Sequence, residues 1–238
     1  MSALTLSDFA TRRNAKPIHA APPQDQQRWL LASPIVQSPA SDHDLAARQS
    51  ALHAEAAALL KELEGSGVFN DIGPLEVTGS YISELMCWPE VDLGLLVGTN
   101  YSPADVLNLI SRVLELPGVF GFDYRDERAD RSPTGLVREE RYHVRFLIDR
   151  GGKVWQLDLT LWLHDLHQNV TAWHEALRNK INDDQRAAVL RIKDVWYQLP
   201  SYPDKIGGLE IYTAVIEDGV RTPNEFRSWL ADRGLLDS

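Results

Sequence analysis

The middle of the chain holds small and acidic residues at spacings that could serve phosphoryl chemistry. Gly79-Ser80 closes a short β-prone segment, Leu75 to Thr78. Nine residues separate it from Glu90-Val91-Asp92, which opens a second such segment, and Asp158 stands inside a third, WQLDLTLW. In a strand, residues i and i+2 share a face, so Glu90 and Asp92 project together while Val91 turns into the core. Asp158 shares its face with Gln156 and Thr160, and Leu157 and Leu159 point the other way. Aspartate is depleted in strands, so one set amid strong β-formers calls for a use. Three carboxylates converging on one sheet face repel one another without a cation. Mg²⁺ takes oxygen ligands, commonly one or two carboxylates plus substrate phosphates. Two such ions about 3.5–4 Å apart clamp the attacking and leaving oxygens of a phosphoryl displacement. Glycine lets the backbone approach a phosphate closely. The Ser80 hydroxyl and the N–H groups after it could donate to phosphate oxygens, more so where Tyr81–Met86 starts a helical turn.

Plainer readings of the same residues stand beside this one. Glu90 and Asp92 could be a solvated strand face that blunts a sheet edge. Asp158 could pair with Arg141 or Arg145 across a hairpin, and Lys193 could be a solvated helix residue. His164 and His167, with Asp165 between them, have a zinc-like spacing. Only His174 follows as a third ligand, so polar packing at a helix start is preferred. Cys87 has no nearby histidine or CxxC partner, and Gly151-Gly152 is a hairpin turn rather than a phosphate loop. Trp155, Trp162, Trp173 and Trp196 are expected to build the core and the packing of sheet on helix.

The elements that must position these residues are legible from pattern. Residues 1–41 carry Pro17, Pro22, Pro23, Pro34 and Pro39 without a sustained period and read as a peripheral arm or tail. A helix begins at Ser41 or Asp42, runs through DLAARQSALHAEAAALLKELEG and stops at Gly65 and Gly67. Leu45, Leu52, Ala56, Leu59, Leu60 and Leu63 lie at helical spacing. EVDLGLLVG reads as a strand, SPADVLNLISRVLELPG as a helix capped by Ser102 with Pro103 in its first turn, and VFGFDYRDE as a strand. RYHVRFLID and KVWQLDLTLWL form a hairpin around Arg150-Gly151-Gly152. TAWHEALRNKI, DQRAAVLRIKDVWYQL, LEIYTAVIEDG and TPNEFRSWLADRG then read as helices. The expected order is an arm over 1–41, an α/β sheet domain over 42–165 and a small helical domain over 166–238.

Composition narrows the classes. The 238 residues are 44% hydrophobic and 24% charged, with 24 Lys plus Arg against 34 Asp plus Glu, a formal charge of −10. That is a globular composition, and its acidity argues against a non-specific nucleic-acid binder, whose affinity comes from neutralising phosphates. One cysteine excludes an internal disulfide. The absence of a long apolar run or a signal-type N-terminus leads to the expectation of a cytoplasmic protein without a membrane partner.

The run VTGSYISELMCWPEVDLGLLV, with Asp158 later on another strand, resembles the signature of the polymerase-β-like nucleotidyltransferase superfamily. That signature has Gly-Ser after an apolar residue, a spacer of about ten residues, an acidic-apolar-acidic triplet and a later third carboxylate. The match covers residues 75–163, and it departs at Glu90, where aspartate is usual. The resemblance implies a mixed sheet flanked by helices and followed by a helical C-terminal domain. It also implies transfer of a nucleoside monophosphate from an NTP, ATP among the donors, to an acceptor hydroxyl. By it, Glu90, Asp92 and Asp158 would hold two Mg²⁺ ions, with Mn²⁺ as the alternative, Asp92 and Asp158 would be catalytic, and Gly79 and Ser80 would bind the nucleotide. Poly(A)-polymerase-like and oligoadenylate-synthase-like relatives carry a lysine and a Ser/Tyr loop in their helical domain, and Lys193, Ser201 and Tyr202 are similar in type and order. The acid balance favours a small molecule or a protein side chain over long nucleic acid as acceptor, and the proline-rich arm makes a homodimer a state to test. The alternative reading keeps the fold but has weak or lost catalysis, leaving a nucleotide-binding or interaction module.

Overall fold

The computed structural model describes residues 40–132, 136–165, 167–199, 202 and 206–236, so most of the proline-rich arm lies outside them. Helix α1 (Asp42–Ser66) starts where the sequence suggests. The Ser41 hydroxyl accepts from the Asp44 N–H at 3.2 Å, and Asp44 Oδ2 accepts from the Ser41 N–H at 3.3 Å, a reciprocal cap. Strand β1 (Glu76–Thr78) runs into one helical turn, α2 (Gly79–Ile82), and β2 (Glu90–Leu96) follows. Helix α3 (Pro103–Leu114) opens on the capping box of Ser102 with Asp105. Then come β3 (Val119–Glu127), two short 3₁₀ turns, β4 (Arg141–Arg150) and β5 (Lys153–Trp162). Four helices follow among the described residues: α4 (His167–Lys180), α5 (Asp183–Trp196), α6 (Gly208–Ile216) and α7 (Pro223–Asp232).

The strands form one five-stranded mixed sheet in the order β1-β2-β5-β4-β3. Among the described residues, only the β2–β5 pair is parallel. The alternation in the sequence decides the faces. Val91, Leu93 and Leu95 of β2, Trp155, Leu157, Leu159 and Leu161 of β5, and Tyr142, Val144, Phe146 and Ile148 of β4 are all buried. They pack in one core with Leu52, Ala56, Leu59 and Leu63 of α1 and Val106, Leu109, Ile110 and Val113 of α3. Burying each such side chain contributes about 1.5–3 kcal/mol, so this face is committed and the intervening residues must occupy the other. This is the α/β sheet with flanking helices expected from the sequence.

Packing divides the chain into two compact units, residues 50–179 and, among those described, residues 40–49 with 180–236. The expected boundary at 165/166 differs from this division at both ends. Helix α4 goes with the sheet, where the Thr171 hydroxyl donates to the Val77 carbonyl at 3.4 Å. The first turns of α1 go with the helices, where Arg48 pairs with the buried Asp194 at 2.7 Å and Arg191 with Asp42 at 2.6 Å. Within the helical unit, Trp196 meets Phe226 edge-on at 4.9 Å, and Phe226 stacks on Trp229 at 5.7 Å. Among the described residues, no helix is long and apolar enough to cross a membrane.

Candidate functional site

The pairing register brings the acids together. Parallel strands β2 and β5 set Asp92 directly opposite Asp158 and Glu90 opposite Gln156, while β1 sets Thr78 opposite Asp92 on the other side. Neighbouring strands lie about 4.8 Å apart, and residues directly opposite share a face, so Asp92 and Asp158 face the same way with Glu90 two positions along. One oxygen from each of the three carboxylates lies within 4.8 Å of the other two, and all three residues are half-buried. Among the described residues, this is the one group of three or more His, Cys, Asp or Glu side chains that converges so closely.

Gly79 closes the floor of this cluster. Its φ is +68°, a conformation that L-residues with a Cβ avoid. A Cβ placed there would overlap the Asp92 carboxylate, falling 2.6 Å from Cγ and 3.0 Å from Cβ of Asp92. The turn after β1 therefore accepts glycine alone while Asp92 keeps this rotamer. Tyr81, in the same turn, is stacked on His53 of α1 with centroids 4.3 Å apart and planes 3° from parallel, which fixes the turn against the helix. Glu84, just beyond, also has a positive φ of 55°, a conformation uncommon for a residue other than glycine.

An arginine and a histidine flank Asp158 on this face. Arg145, opposite Asp158 on β4, donates from Nε to Asp158 Oδ1 at 3.0 Å. His143 Nε2 lies 3.8 Å from Asp158 Oδ2. Burial works against the Arg145 charge, but the Asp158 carboxylate, by its charge and its hydrogen bond, and the charges of Glu90 and Asp123 raise its pKa above the ordinary value. Burial pushes the His143 pKa down, with Asp158 pulling the other way, which favours the neutral imidazole. On the β2 side, the Trp88 indole Nε1–H donates to Glu90 Oε2 at 2.6 Å. Thr78 Oγ1 is buried on the strand beside Asp92 and makes no hydrogen bond among the described residues.

A divalent cation fits these residues. The donors are all carboxylate oxygens, the chemistry that suits Mg²⁺ or Mn²⁺. The cradle is one that a side chain at position 79 would fill, and three mutually repelling acids converge on it.

Glu90 and Asp92 do not blunt an edge, because β2 is an interior strand between β1 and β5. The proposed pairing of Asp158 with Arg145 occurs. That with Arg141 does not, since Arg141 Nε donates to Glu127 Oε2 at 2.6 Å. Cys87 is buried. His164 lies 3.9 Å from Glu140, and the His167 side chain lies outside the described residues, as does Ser201. Lys193 is 1% exposed on α5, within the helical unit, with Nζ 5.9 Å from the centroid of the Tyr212 ring, so the solvated-helix reading of Lys193 fails. Tyr202 is half-buried in a turn, where its N–H donates to the Leu199 carbonyl at 3.0 Å. Sequence reasoning did not find Trp88 or His143. The signal for Trp88 was its place two residues before Glu90 across Pro89, and that for His143 was its two-residue offset from Arg145 on a half-buried strand.

No family model matches the chain, and no curated protein matches it. Solved structures do. One is the Cid1 poly(U) polymerase with Mg 3′-dATP bound, at 16% identity and a TM-score of 0.41, covering 58% of this chain and 39% of that one. A second is a cytoplasmic RNA terminal U-transferase, at 17% identity and a TM-score of 0.41, covering 58% and 38%. A third is the GLD-2/RNP-8 complex, at 13% identity and a TM-score of 0.48, covering 79% and 71%. The matched region spans about two fifths of the length of the first two.

Proposed function

We propose that the chain is a divalent-metal-dependent nucleotidyltransferase that moves a nucleoside monophosphate from an NTP to an acceptor hydroxyl and releases pyrophosphate. The observation that carries this reading is the convergence of Glu90, Asp92 and Asp158 within 4.8 Å on one sheet face, over a glycine whose missing side chain makes the room. In the reaction, the acceptor oxygen bonds to the α-phosphorus of the NTP, and the bond from that phosphorus to the bridging oxygen breaks. Pyrophosphate leaves with the electron pair, and the acceptor proton passes to a carboxylate. Glu90 and Asp92, with help from Asp158, would hold the cations, which when bound would supply charge neutralisation for the phosphates. Asp158 Oδ2 takes or orients the acceptor proton while Arg145 holds Oδ1. Gly79 and Ser80 face the triphosphate. The contribution of these residues is positioning and electrostatic stabilisation. The resemblance gives Lys193, Ser201 and Tyr202 to the nucleotide as well, but the reading rests on the sheet residues alone. A small molecule or a protein side chain is the preferred acceptor class.

One observation favours a second reading, a nucleotide-binding module with little or no turnover. Arg145 already neutralises Asp158, the carboxylate on which proton transfer depends. Calorimetric titration of each of the four NTPs with Mg²⁺ into wild type and Asp92→Asn, followed by turnover assays with hydroxyl acceptors, tests both. The transferase reading expects metal-dependent NTP binding and turnover in wild type, with turnover abolished in a cleanly folded Asp92→Asn. Binding without turnover selects the module. Turnover retained in Asp92→Asn overturns the site.

A further inference from the structure

Glu90 has one methylene more than an aspartate, which adds a rotatable bond and about 1.5 Å of reach. Left to itself, such a side chain spreads over several rotamers, and a site built on a floating carboxylate is poorly pre-organised. The structure shows what stops this. Trp88, Pro89 and Glu90 form a tight turn in which the Glu90 N–H donates to the Trp88 carbonyl at 2.9 Å. In the same turn the Trp88 indole N–H donates to Glu90 Oε2 at 2.6 Å. The two residues are thus tied twice, once through backbone and once through side chains, across a proline that fixes its own φ. The Pro89 carbonyl accepts from the Gln156 N–H at 2.9 Å, which fastens the turn to β5 two residues from Asp158. An aspartate at position 90 would draw its carboxylate back by about one bond length, beyond hydrogen-bond reach of the indole.

We infer that Trp88 is a positioning residue, its indole N–H locking Glu90 so that the longer acid works as the first metal-binding carboxylate. The inference rests on the metal-dependent reading above. Partners that orient a ligating carboxylate typically govern metal affinity by about 10–100-fold, and an indole N–H is a donor with no acceptor capacity, so it can hold Glu90 Oε2 only by donating to it. The Trp88–Glu90 pair is one device, which sets its prediction apart from that of two independent contacts.

The test compares wild type, Trp88→Phe, Glu90→Asp and the double variant by two readouts. The first is free Mn²⁺ measured by electron paramagnetic resonance during a titration. Trp88→Phe keeps a ring and loses the N–H, so Mn²⁺ affinity is expected to fall about 10-fold or more. Glu90→Asp is expected to fall likewise, and the double variant no further than the weaker single, because both changes remove the same bond. The second readout needs no metal. The indole ¹H–¹⁵N signal that disappears in Trp88→Phe is expected to lie downfield in wild type and to move upfield in Glu90→Gln, a variant that leaves the tryptophan in place should Trp88→Phe fold poorly. Unchanged Mn²⁺ affinity in Trp88→Phe, losses that multiply in the double variant, or an indole signal indifferent to position 90 would each overturn the inference. Wild type that binds no Mn²⁺ while the indole signal still responds to Glu90→Gln would sink the metal reading and leave only a structural bond.

Discussion

Replacing Gly79 with alanine should separate a backbone cost from a site cost, and Gly98 supplies the control. Both glycines have positive φ, +68° and +78°. A Cβ at Gly98 would meet nothing within 4 Å, whereas one at Gly79 would sit 2.6 Å from Asp92 Cγ. Gly98→Ala therefore isolates the left-handed conformation, about 1–2 kcal/mol for a residue with a Cβ. In a protein of this size that lowers Tm by roughly 2–8 °C, at about 2–4 °C per kcal/mol. Gly79→Ala carries the same cost plus an overlap. Carbon atoms rest at about 3.5–4.0 Å, so the Asp92 carboxylate must retreat by about 1 Å or the turn must open. Displacement on that scale is enough to cost roughly 10²-fold in a positioned reaction. Thermal melts and Mn²⁺ titrations of the two variants are the assay. Gly98→Ala should lower Tm and leave Mn²⁺ affinity within about twofold, while Gly79→Ala should lower Tm further and weaken Mn²⁺ at least about 10-fold, the scale set by misplaced ligands. Equal melts and equal Mn²⁺ affinity in the two variants would refute the argument that the contact with Asp92 is what demands glycine.

Two further predictions test the scaffold. Ser102→Ala removes the capping box at the start of α3 and should cost about 1 kcal/mol, read as a fall of roughly 2–4 °C in Tm, with Mn²⁺ affinity unchanged. Asp126 accepts from Arg128 at 2.7 and 2.8 Å and from Arg131 at 3.0 Å, and the Arg128 hydrogen bond lowers its pKa despite the opposing effect of burial. Its folded pKa lies below the unfolded value, about 3.9, so the unfolded chain binds the proton more readily. The stabilisation is full above the unfolded value and is lost as pH falls through the folded one. Denaturation curves between about pH 5 and 2 should be less steep in Asp126→Asn, and an unchanged acid slope would rule the ion pair out as a contributor.

The acid-sensitive pairs and the metal candidates differ in how far the sequence discloses them. Alternation alone placed Val91, Leu157 and Leu159 inside and Glu90, Asp92 and Asp158 outside, because a strand has a period of two and burial enforces it. Helix starts were equally legible at Ser41 and Ser102, since a cap is a local bond between residues three apart. The hairpin at Gly151-Gly152 was local too. The boundary between units was not legible, because it depends on which surface α4 and the first turns of α1 pack against, as Thr171 on Val77 and Arg48 on Asp194 show.

What the sequence determined by itself is the set of acids, the glycine before them and the faces they share, for these follow from covalent geometry and period. Only the tertiary structure decided that β2 lies inside the sheet, parallel to β5 and in the register that sets Asp92 opposite Asp158. It alone decided that Arg145 rather than Arg141 reaches Asp158. Strand order and register are set by the packing of side chains far apart in the chain, and no spacing within one strand encodes the partner that lies across from it.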